Sequence, residues 1–156
     1  GLELNMQQQL DFLPGFWKNF GVLTNYTYVD SKIKYLTSTT PGAPTISQTL
    51  VGLSKNAANF TLYYETKRFS IRGSVAYRDG YLTAVPSNDG NSVAGTNSTT
   101  NYDMQASYNI SDHLKFTVEG INLTDEFNDQ YVDASNRLNV RSHTGRQFFL
   151  SLRYTY

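Results

Sequence analysis

The chain has 156 residues, of which 13 are basic and 13 acidic, so its formal net charge is zero and no overall field attracts nucleic acid. Charged residues make up only 17% of the chain, whereas a soluble domain carries about a quarter. The sequence contains no cysteine, which excludes a disulfide scaffold and thiolate metal sites.

Apolar and polar residues alternate along the chain with a period of two, which is typical of β-strands. No apolar run approaches the roughly 18 residues that a membrane-spanning helix needs. A membrane protein with this pattern must be a β-barrel, because only helices and closed barrels satisfy every backbone hydrogen bond in lipid. The alternation predicts seven strands, at about residues 2–12, 19–30, 56–66, 69–82, 101–110, 114–123 and 146–156.

Each predicted strand has an apolar face, represented in chain order by Leu4, Tyr26, Phe60, Val75, Met104, Val118 and Leu150. The charges within the strands all fall on the opposite face, and these residues are Glu3, Asp11, Glu65, Arg72, Arg78, Asp103, Lys115, Glu119 and Arg153. An Arg or Lys facing lipid at mid-depth would cost about 2–4 kcal/mol, which explains this one-sided distribution. The exceptions Lys18, Asp30 and Arg146 lie at strand ends, where water is near.

The connections between the predicted strands alternate in length. Short turns are expected at residues 13–17, 66–68 and 111–113, and long polar segments at about 31–55, 84–100 and 125–145. Outer-membrane barrels have short periplasmic turns and long extracellular loops, whereas a soluble β-sandwich lacks this alternation. The predicted fold class is therefore all-β, an antiparallel transmembrane up-and-down β-barrel with a periplasmic C-terminus.

Aromatic residues are concentrated near the strand ends, as in the interfacial girdles of a barrel. The expected periplasmic belt comprises Phe12, Phe16, Trp17, Phe20, Phe69, Tyr154 and Tyr156. The expected outer belt comprises Tyr26, Tyr28, Tyr77, Tyr81 and Tyr102. This distribution favours a lipid-facing surface over an aromatic soluble core.

Seven strands cannot close a barrel of this class. Bacterial single-chain barrels have even strand numbers, and an open sheet would leave two unpaired edges in lipid. With a periplasmic C-terminus the first strand also runs inward, so Gly1 is expected at the extracellular rim. We therefore expect residues 1–156 to be the C-terminal part of a single β-barrel domain, with the earlier strands upstream.

Sequence motifs in a fixed order suggest a family. They are Gly1–Glu3 with Gln7–Gln9, Phe12–Gly15, Asn25–Ser31, Gly52–Asn56, Tyr63–Glu65, Phe69–Arg72, Tyr77–Arg78, Asn122–Glu126 and the closing Gly145–Tyr156. In this order and spacing they resemble the late barrel strands of TonB-dependent outer-membrane transporters, over the whole chain. The closing segment resembles the terminal barrel-assembly signal, formed here by Phe148, Leu150, Leu152, Tyr154 and Tyr156. Such signals usually end in Phe, and Tyr156 departs from that pattern.

The resemblance implies a barrel of about 22 strands, closed by these last seven and filled by an N-terminal plug domain. It implies import of a scarce nutrient across the outer membrane of a Gram-negative bacterium, energised by TonB through the plug. Its expected partners are outer-membrane lipid, the plug and earlier strands, the barrel-assembly machinery and a small-molecule cargo, with no cofactor and no nucleic acid. The sequence of residues 25–28 and 53–56 resembles that of the transporter subgroup common in Caulobacter- and Xanthomonas-like bacteria. Some members of that subgroup import oligosaccharides, which favours a glycan over a ferric siderophore.

The polar face supplies two sets of candidate functional residues. Near the outer end, candidate cargo contacts are Tyr35, Arg78, Tyr81, Asp103 and Arg141, with Tyr stacking on sugar rings and Arg or Asp binding hydroxyl groups. Residues expected to line the lumen and contact the plug are Glu3, Asp11, Lys115, Glu119 and Arg153.

Catalysis is not expected. His113 and His143 are the only histidines and should lie at opposite rims, so no shared metal site is predicted. Ser142 adjoins His143, but adjacency in sequence does not make a catalytic triad. An outer-membrane barrel hydrolase, a passive porin and an adhesion barrel remain as alternatives. An upstream plug would distinguish the transporter from the porin.

Overall fold

The computed structural model describes all 156 residues and is all-β apart from one 3-10 helix at Gly15–Asn19. Its strands are β1 (Leu2–Gln9), β2 (Phe20–Tyr28), β3 (Ile33–Leu36), β4 (Thr45–Gln48), β5 (Asn56–Glu65), β6 (Phe69–Arg78), β7 (Tyr81–Ala84), β8 (Ala94–Thr96), β9 (Thr99–Asn109), β10 (Leu114–Ile121), β11 (Asn128–Val132), β12 (Arg137–Ser142) and β13 (Gln147–Tyr154). No helix is long and apolar enough to cross a membrane.

Seven of these strands form one antiparallel sheet in the order β1-β2-β5-β6-β9-β10-β13, in which each strand pairs with the next along the chain. All seven predicted strands are confirmed. The first ends at Gln9 rather than at residue 12, so Asp11 lies in a turn and not on a strand face. The fourth ends at Arg78, so Tyr81 belongs to the separate strand β7 and not to an aromatic belt on the sheet.

The strand register confirms the predicted separation of the two faces. Val75 pairs with Phe60 and Tyr102, and Val118 pairs with Ala106 and Leu150, so apolar positions follow one another across the sheet. Because successive side chains on a strand point to opposite sides, the charged strand residues all lie on the other face. We call the two surfaces the apolar face and the polar face.

The apolar face is not covered by any other part of the chain. Leu150 and Leu4 expose 74% and 56% of their surface, and the buried apolar residues Leu82, Val93 and Val132 all lie in connections. The sheet is also open, because β1 pairs only with β2 and β13 only with β10. Its hydrophobic surface is therefore exposed and its two edge strands are unpaired. This is expected for strands that contact lipid and pair with neighbouring strands.

The connections alternate in length as predicted. We call the end of the sheet with the connections at residues 10–19, 66–68 and 110–113 the short-turn end. The opposite end, with connections at residues 29–55, 79–98 and 122–146, is the long-connection end. At the short-turn end, Phe16 and Trp17 lie 4.3 Å apart and Phe20 packs edge-on against Tyr64 at 4.9 Å between ring centroids. These four rings form an aromatic cluster at that rim.

The long segments, which the sequence indicated only as polar loops, contain short strands. β3 and β4 form a hairpin, and the connections 79–98 and 122–146 together build a four-stranded sheet in the order β12-β11-β8-β7. Three of these four strands have only three to five residues, too few to produce a clear alternating pattern.

Glycines allow two close cross-strand contacts with tyrosine rings. Gly95 is opposite Tyr131 in the four-stranded sheet, and Gly21 is opposite Tyr63 in the seven-stranded sheet. A methyl group at either glycine would overlap the facing ring. At both positions the tyrosine ring therefore fills the space that the side chain of any residue larger than glycine would need.

Candidate functional site

A polar cleft of about 390 Å³ opens at the long-connection end, between the tops of β6 and β9 and the four-stranded sheet. Arg78, Thr99 and Asn101 reach it from the polar face of the seven-stranded sheet. Eight of its 14 lining residues carry a neutral amide or aliphatic hydroxyl group, namely Thr96, Asn97, Thr99, Asn101, Asn122, Asn128, Ser142 and Thr144. The cleft therefore offers mainly uncharged hydrogen-bonding groups.

Arg78 and Tyr81 form one wall of the cleft. The guanidinium carbon of Arg78 lies 4.0 Å from the centroid of the Tyr81 ring. The same guanidinium donates to the Ser54 hydroxyl at 2.7 Å and to the Gly52 carbonyl at 3.0 Å. Arg78 thus fastens the first long connection to β6 and holds Tyr81 in place, and two of its N–H groups are already used in these contacts.

Asp79 anchors the same wall from the residue after β6. Its Oδ2 accepts hydrogen bonds from the side-chain amide and the backbone N–H of Asn56, at 2.6 and 3.0 Å. The hydroxyl of Tyr77 also donates to this carboxylate. The hydrogen bond from Tyr77, followed by those from Asn56, holds the pKa of Asp79 below its usual value because they stabilise the charged form.

Asn122 organises the opposite wall. It is buried, with 6% of its surface exposed, and its φ of 54° lies in the left-handed region that Asn tolerates better than most residues. Its Oδ1 accepts from the backbone N–H of Glu126 at 2.7 Å, and its Nδ2 donates to the carbonyl of Gly145 at 3.3 Å. Its own backbone N–H donates to Asp103 at 2.8 Å. One side chain therefore holds both ends of the last long connection.

His143 closes the cleft beside Phe127. The two rings stack with centroids 4.5 Å apart, and the His143 Nδ1 lies 2.8 Å from Oδ1 of Asp125. Arg141 covers Phe127 with its guanidinium 4.2 Å from the ring centroid. The Ser142 hydroxyl donates to the Asn128 carbonyl at 3.4 Å and forms no hydrogen bond with His143. A His–Asp pair is present, but no nucleophile is bonded to it.

The predicted cargo contacts fall into two groups. Arg78 and Tyr81 line the cleft. Tyr35, Asp103 and Arg141 do not: the Tyr35 hydroxyl accepts from the Val51 N–H at 3.0 Å in the first connection, Asp103 accepts from Asn122, and Arg141 lies 3.4 Å from Asp129. Asp103 and Arg141 contact the lining residues Asn122 and Phe127, whereas Tyr35 lies within the first long connection, away from the cleft.

Sequence reasoning missed most of the cleft's polar lining. Asn97, Asn101, Asn128 and Thr144 all contribute to it. Asn101 could have been found, because it occupies the polar face of a predicted strand near the outer end. The other three lie in segments whose Asn- and Thr-rich composition indicated only loops, and the positions of Asn97 and Asn128 depend on the pairing of β8 with β11.

The residues predicted to line the lumen and those predicted to form the barrel-assembly signal lie mostly on opposite faces of the sheet. Glu3, Lys115, Glu119 and Arg153 lie on the polar face, whereas Asp11 lies in the first short turn. Phe148, Leu150, Leu152 and Tyr154 alternate along the apolar face of β13, and Tyr156 lies beyond the strand, its ring edge-on to Tyr154 at 5.3 Å. His113 and His143 lie at opposite ends of the sheet, and no group of three or more His, Cys, Asp or Glu could hold a metal ion.

Comparison with known proteins identifies the family. The sequence matches the family described as TonB dependent receptor-like, beta-barrel, over residues 1–123, from β1 through β10. The chain belongs to this family. The search of curated proteins found no match. Among solved structures, the chain resembles the siderophore receptor PiuA from Acinetobacter baumannii, with 18% identity and a TM-score of 0.68.

The structural match covers 99% of this chain and 21% of PiuA, so the chain spans about a fifth of that receptor's length. At 18% identity the likeness establishes the fold. The predicted family and the all-β antiparallel barrel fold are both confirmed. Because TonB-dependent receptors are transporters of the Gram-negative outer membrane, that location and the expectation that the chain is not an enzyme are confirmed as well. The Caulobacter- and Xanthomonas-type subgroup stays a prediction.

Proposed function

We propose that this TonB-dependent receptor imports a scarce nutrient across the outer membrane and is energised by TonB. The observation that carries the proposal is the family match over residues 1–123. In this proposal residues 1–156 form the C-terminal part of a single barrel domain of about 22 strands. The open edges β1 and β13 then pair with earlier strands, and an upstream plug domain fills the lumen and contacts TonB.

The proposed orientation places the C-terminus in the periplasm. It rests on the uneven connections, because outer-membrane barrels have short turns at the periplasmic rim and long loops outside. The short-turn end is therefore periplasmic, the apolar face contacts lipid, the polar face lines the lumen, and the cleft opens toward the medium. Barrel-assembly machinery would recognise the alternating apolar residues of β13.

Uptake in a strain that lacks TonB tests the energised mechanism. Cells that depend on the full-length receptor for a labelled nutrient should lose accumulation against a gradient when the tonB gene is deleted, while the receptor stays in the outer membrane at normal abundance. Uptake that persists without TonB and rises linearly with concentration would instead identify a passive porin.

The cleft supports a neutral, hydroxyl-rich cargo such as an oligosaccharide. Its amide and hydroxyl groups can both donate to and accept from sugar hydroxyls. Its charged side chains already make hydrogen bonds to neutral groups of the protein: Arg78 to Ser54 and Gly52, Asp79 to Asn56, and Glu126 to the Thr100 N–H at 3.0 Å. A ferric siderophore is the second candidate, because the similar structure PiuA is named as a siderophore receptor.

Binding measurements on the full-length receptor distinguish the two cargo classes. Isothermal titration with neutral oligosaccharides should give saturable binding, and titration with ferric siderophores should not. Asn101→Ala should weaken oligosaccharide binding about 5- to 10-fold, the effect of one lost hydrogen bond of about 1–1.4 kcal/mol. Thr100→Ala is the matched control, because Thr100 is the adjacent residue and points to the apolar face.

Tyr81 provides a second test of the same cleft. Tyr81→Ala should weaken binding by removing a stacking surface, without lowering receptor abundance in the outer membrane. Tyr81→Phe should retain most of the affinity because it keeps the ring. Unchanged affinity in both Asn101→Ala and Tyr81→Ala would exclude this cleft from the cargo path.

A further inference from the structure

The four-stranded sheet repeats the strand order of the seven-stranded sheet. The last four strands of the larger sheet are β6-β9-β10-β13, and the smaller sheet has the order β7-β8-β11-β12. Residues 79–80 join β6 to β7, residues 97–98 join β8 to β9, residues 122–127 join β10 to β11, and residues 143–146 join β12 to β13. Each strand of the smaller sheet is therefore the continuation of one strand of the larger sheet, and β12 is the counterpart of the edge strand β13.

The two edges of the four-stranded sheet differ. At the β7 edge, the backbone N–H of Gly52 donates to the Leu82 carbonyl at 2.7 Å, so the first long connection already occupies that edge. At the other edge, β12 pairs only with β11, and no backbone hydrogen bond joins it to any other segment. The chain covers one edge of this sheet and leaves the other free.

Apolar side chains of β12 are exposed on both sides of the sheet. Leu138 exposes 53% of its surface and Val140 exposes 43%. Leu138 is opposite Tyr131 and Val140 is opposite Gln130, which are consecutive residues of β11, so the two apolar side chains point to opposite sides. Side chains in a sheet pack against their cross-strand neighbours. Exposure on both sides therefore indicates an open place for a further strand beside β12.

Free charges do not guard this edge. Exposed edge strands are often protected from pairing by charged side chains. The two charged residues of β12 are each paired within their own connection: Nε of Arg137 lies 3.2 Å from a carboxylate oxygen of Asp133, and Nε of Arg141 lies 3.4 Å from one of Asp129. An incoming strand would meet backbone groups and neutralised side chains.

The location of this edge limits which segment can reach it. In the proposed barrel the first strand pairs antiparallel with β13, so it runs toward the long-connection end. The residues that follow it emerge beside Val140–Ser142, the regular part of β12 between its bulge and β13. The pairing of β8 with β11 is a precedent in the same sheet, because these strands also come from two different connections.

We propose that β12 pairs with the residues that follow the first strand of the barrel, in the segment upstream of Gly1. The inference rests on the proposed function, because the closed barrel is part of that proposal. It adds a further wall to the cargo cleft. Ser142, His143 and Thr144 line the cleft next to this edge and are exposed, so the added strand extends the cleft beyond them. Side chains of the upstream segment then contribute to the selection of cargo.

Disulfide crosslinking in the full-length protein tests the proposal. Residues 1–156 contain no cysteine, so this part of the chain gives no background. Val140→Cys is combined with a single cysteine at successive residues after the first barrel strand, and the receptor is oxidised in native outer membranes. Bridges should form at alternate residues and be at least tenfold weaker between them, because only alternate side chains of a paired strand point to the same side.

Thr83→Cys is the matched control, because Thr83 is an exposed residue of the covered edge strand β7. It should form no bridge with the same partners. The proposal would be overturned if Val140→Cys formed no bridge in a barrel that is folded by heat-modifiable gel mobility. Bridges only to another connection or to a second copy, or equal yields at neighbouring residues, would also overturn it.

Hydrogen–deuterium exchange provides a second measurement that needs no cysteine. Replacement of the upstream residues by Gly and Ser should speed exchange of the outward-pointing amides of β12 at least tenfold, because their hydrogen-bond acceptors are lost. The same replacement at residues 37–44, in the turn of the β3–β4 hairpin, should leave β12 unchanged. Equal exchange of β12 in the wild type and both variants would contradict the proposed pairing.

Failure of this inference is distinguishable from failure of the proposed function. Bridges and exchange are measured without cargo and without energy. A receptor with alternating bridges but TonB-independent uptake would retain the contact and lose the transport mechanism. A receptor with TonB-dependent uptake but no such bridges would retain the mechanism and lose the contact.

Discussion

The long-connection end of the sheet contains all the ion pairs of the structure, whereas the short-turn end contains none. In the long connections, Arg137 and Arg141 each meet a carboxylate, and His143 meets Asp125. At the short-turn end, Lys115 and Arg153 face each other without one. Ion pairs within the long connections help to hold these segments together, whereas like charges directly opposite each other on neighbouring strands destabilise the strand pair. Substitutions in the long connections show how far these segments keep their structure through their own contacts.

The largest effect is expected at Asn122, where the framework of the last long connection converges. Asn122→Ala should cost about 2–4 kcal/mol of local stability, because it leaves the buried N–H of Glu126 without an acceptor and places Ala at a φ of 54°. Hydrogen–deuterium exchange over residues 122–146 should therefore accelerate, while exchange in β13 stays slow.

Two variants separate the causes at Asn122. Asn122→Gly accepts the backbone angle and should lose only the hydrogen-bond part. Asn136→Ala is the matched control for strain alone, since Asn136 is exposed with a φ of 56°. If Asn122→Ala exchanged no faster than Asn136→Ala, the long connection would not depend on this residue.

A somewhat smaller loss is expected from overpacking the four-stranded sheet. In Gly95→Ala the new methyl group meets the Tyr131 ring, which must move or displace the backbone, at a cost of about 1–3 kcal/mol. The double variant Gly95→Ala with Tyr131→Leu should recover part of the lost stability, measured as protection of β8 and β11 from hydrogen–deuterium exchange. Additive losses in the double variant would show that the ring is not the cause.

Acidification should loosen the wall of the cleft that Asp79 anchors. Because hydrogen bonds from Tyr77 and Asn56 lower the pKa of Asp79 in the folded protein, its contribution is fully present above the ordinary value of 3.8. That contribution is lost as the pH falls through the lowered pKa. The Asn56 amide should then exchange faster than expected from the intrinsic pH dependence. Asp79→Asn should show this loosening at neutral pH and no further change with acid.

The smallest effect is expected at the ion pair between Arg141, whose side chain is exposed, and Asp129, whose side chain is only partly exposed. Arg141→Gln should cost about 0.2–1 kcal/mol in local stability, the usual range for a surface pair, together with weaker packing over Phe127. The loss should be measured as faster hydrogen–deuterium exchange in β11 and β12. High salt should reduce the difference in exchange rate between the variant and the wild type. A loss above that range, insensitive to salt, would mean that Arg141 acts mainly through the Phe127 ring.

Alternation and charge position in the sequence were enough to predict the seven-stranded sheet. They succeeded because a lipid-facing charge is costly, so residues such as Arg72 and Glu119 reveal the phase of their strands. The four-stranded sheet could not be predicted, because strands as short as Ala94–Thr96 carry too few residues for a period and the β11 strand that pairs with them lies beyond β9 and β10 in the sequence.

The candidate site was predictable only where it is built on the sheet. Arg78 was identified because it extends from a regular strand. Tyr81 was identified for the wrong element, since β6 ends at Arg78 and the chain turns before β7 begins. Asn122 was identified only as the first residue of a family motif and not as a site residue, because its role depends on a left-handed backbone angle and on a contact with Gly145 that no local pattern signals.

The four-stranded sheet is made from two connections that are separated along the chain by β9 and β10. β8, in the connection at residues 79–98, is flanked by β7 of the same connection and by β11 of the connection at residues 122–146. An antibody or a phage tail fibre that recognised this surface in living cells would therefore read a discontinuous epitope. Synthetic peptides that copy either connection alone would fail to compete for it, and escape from such a binder could arise by mutation in either segment.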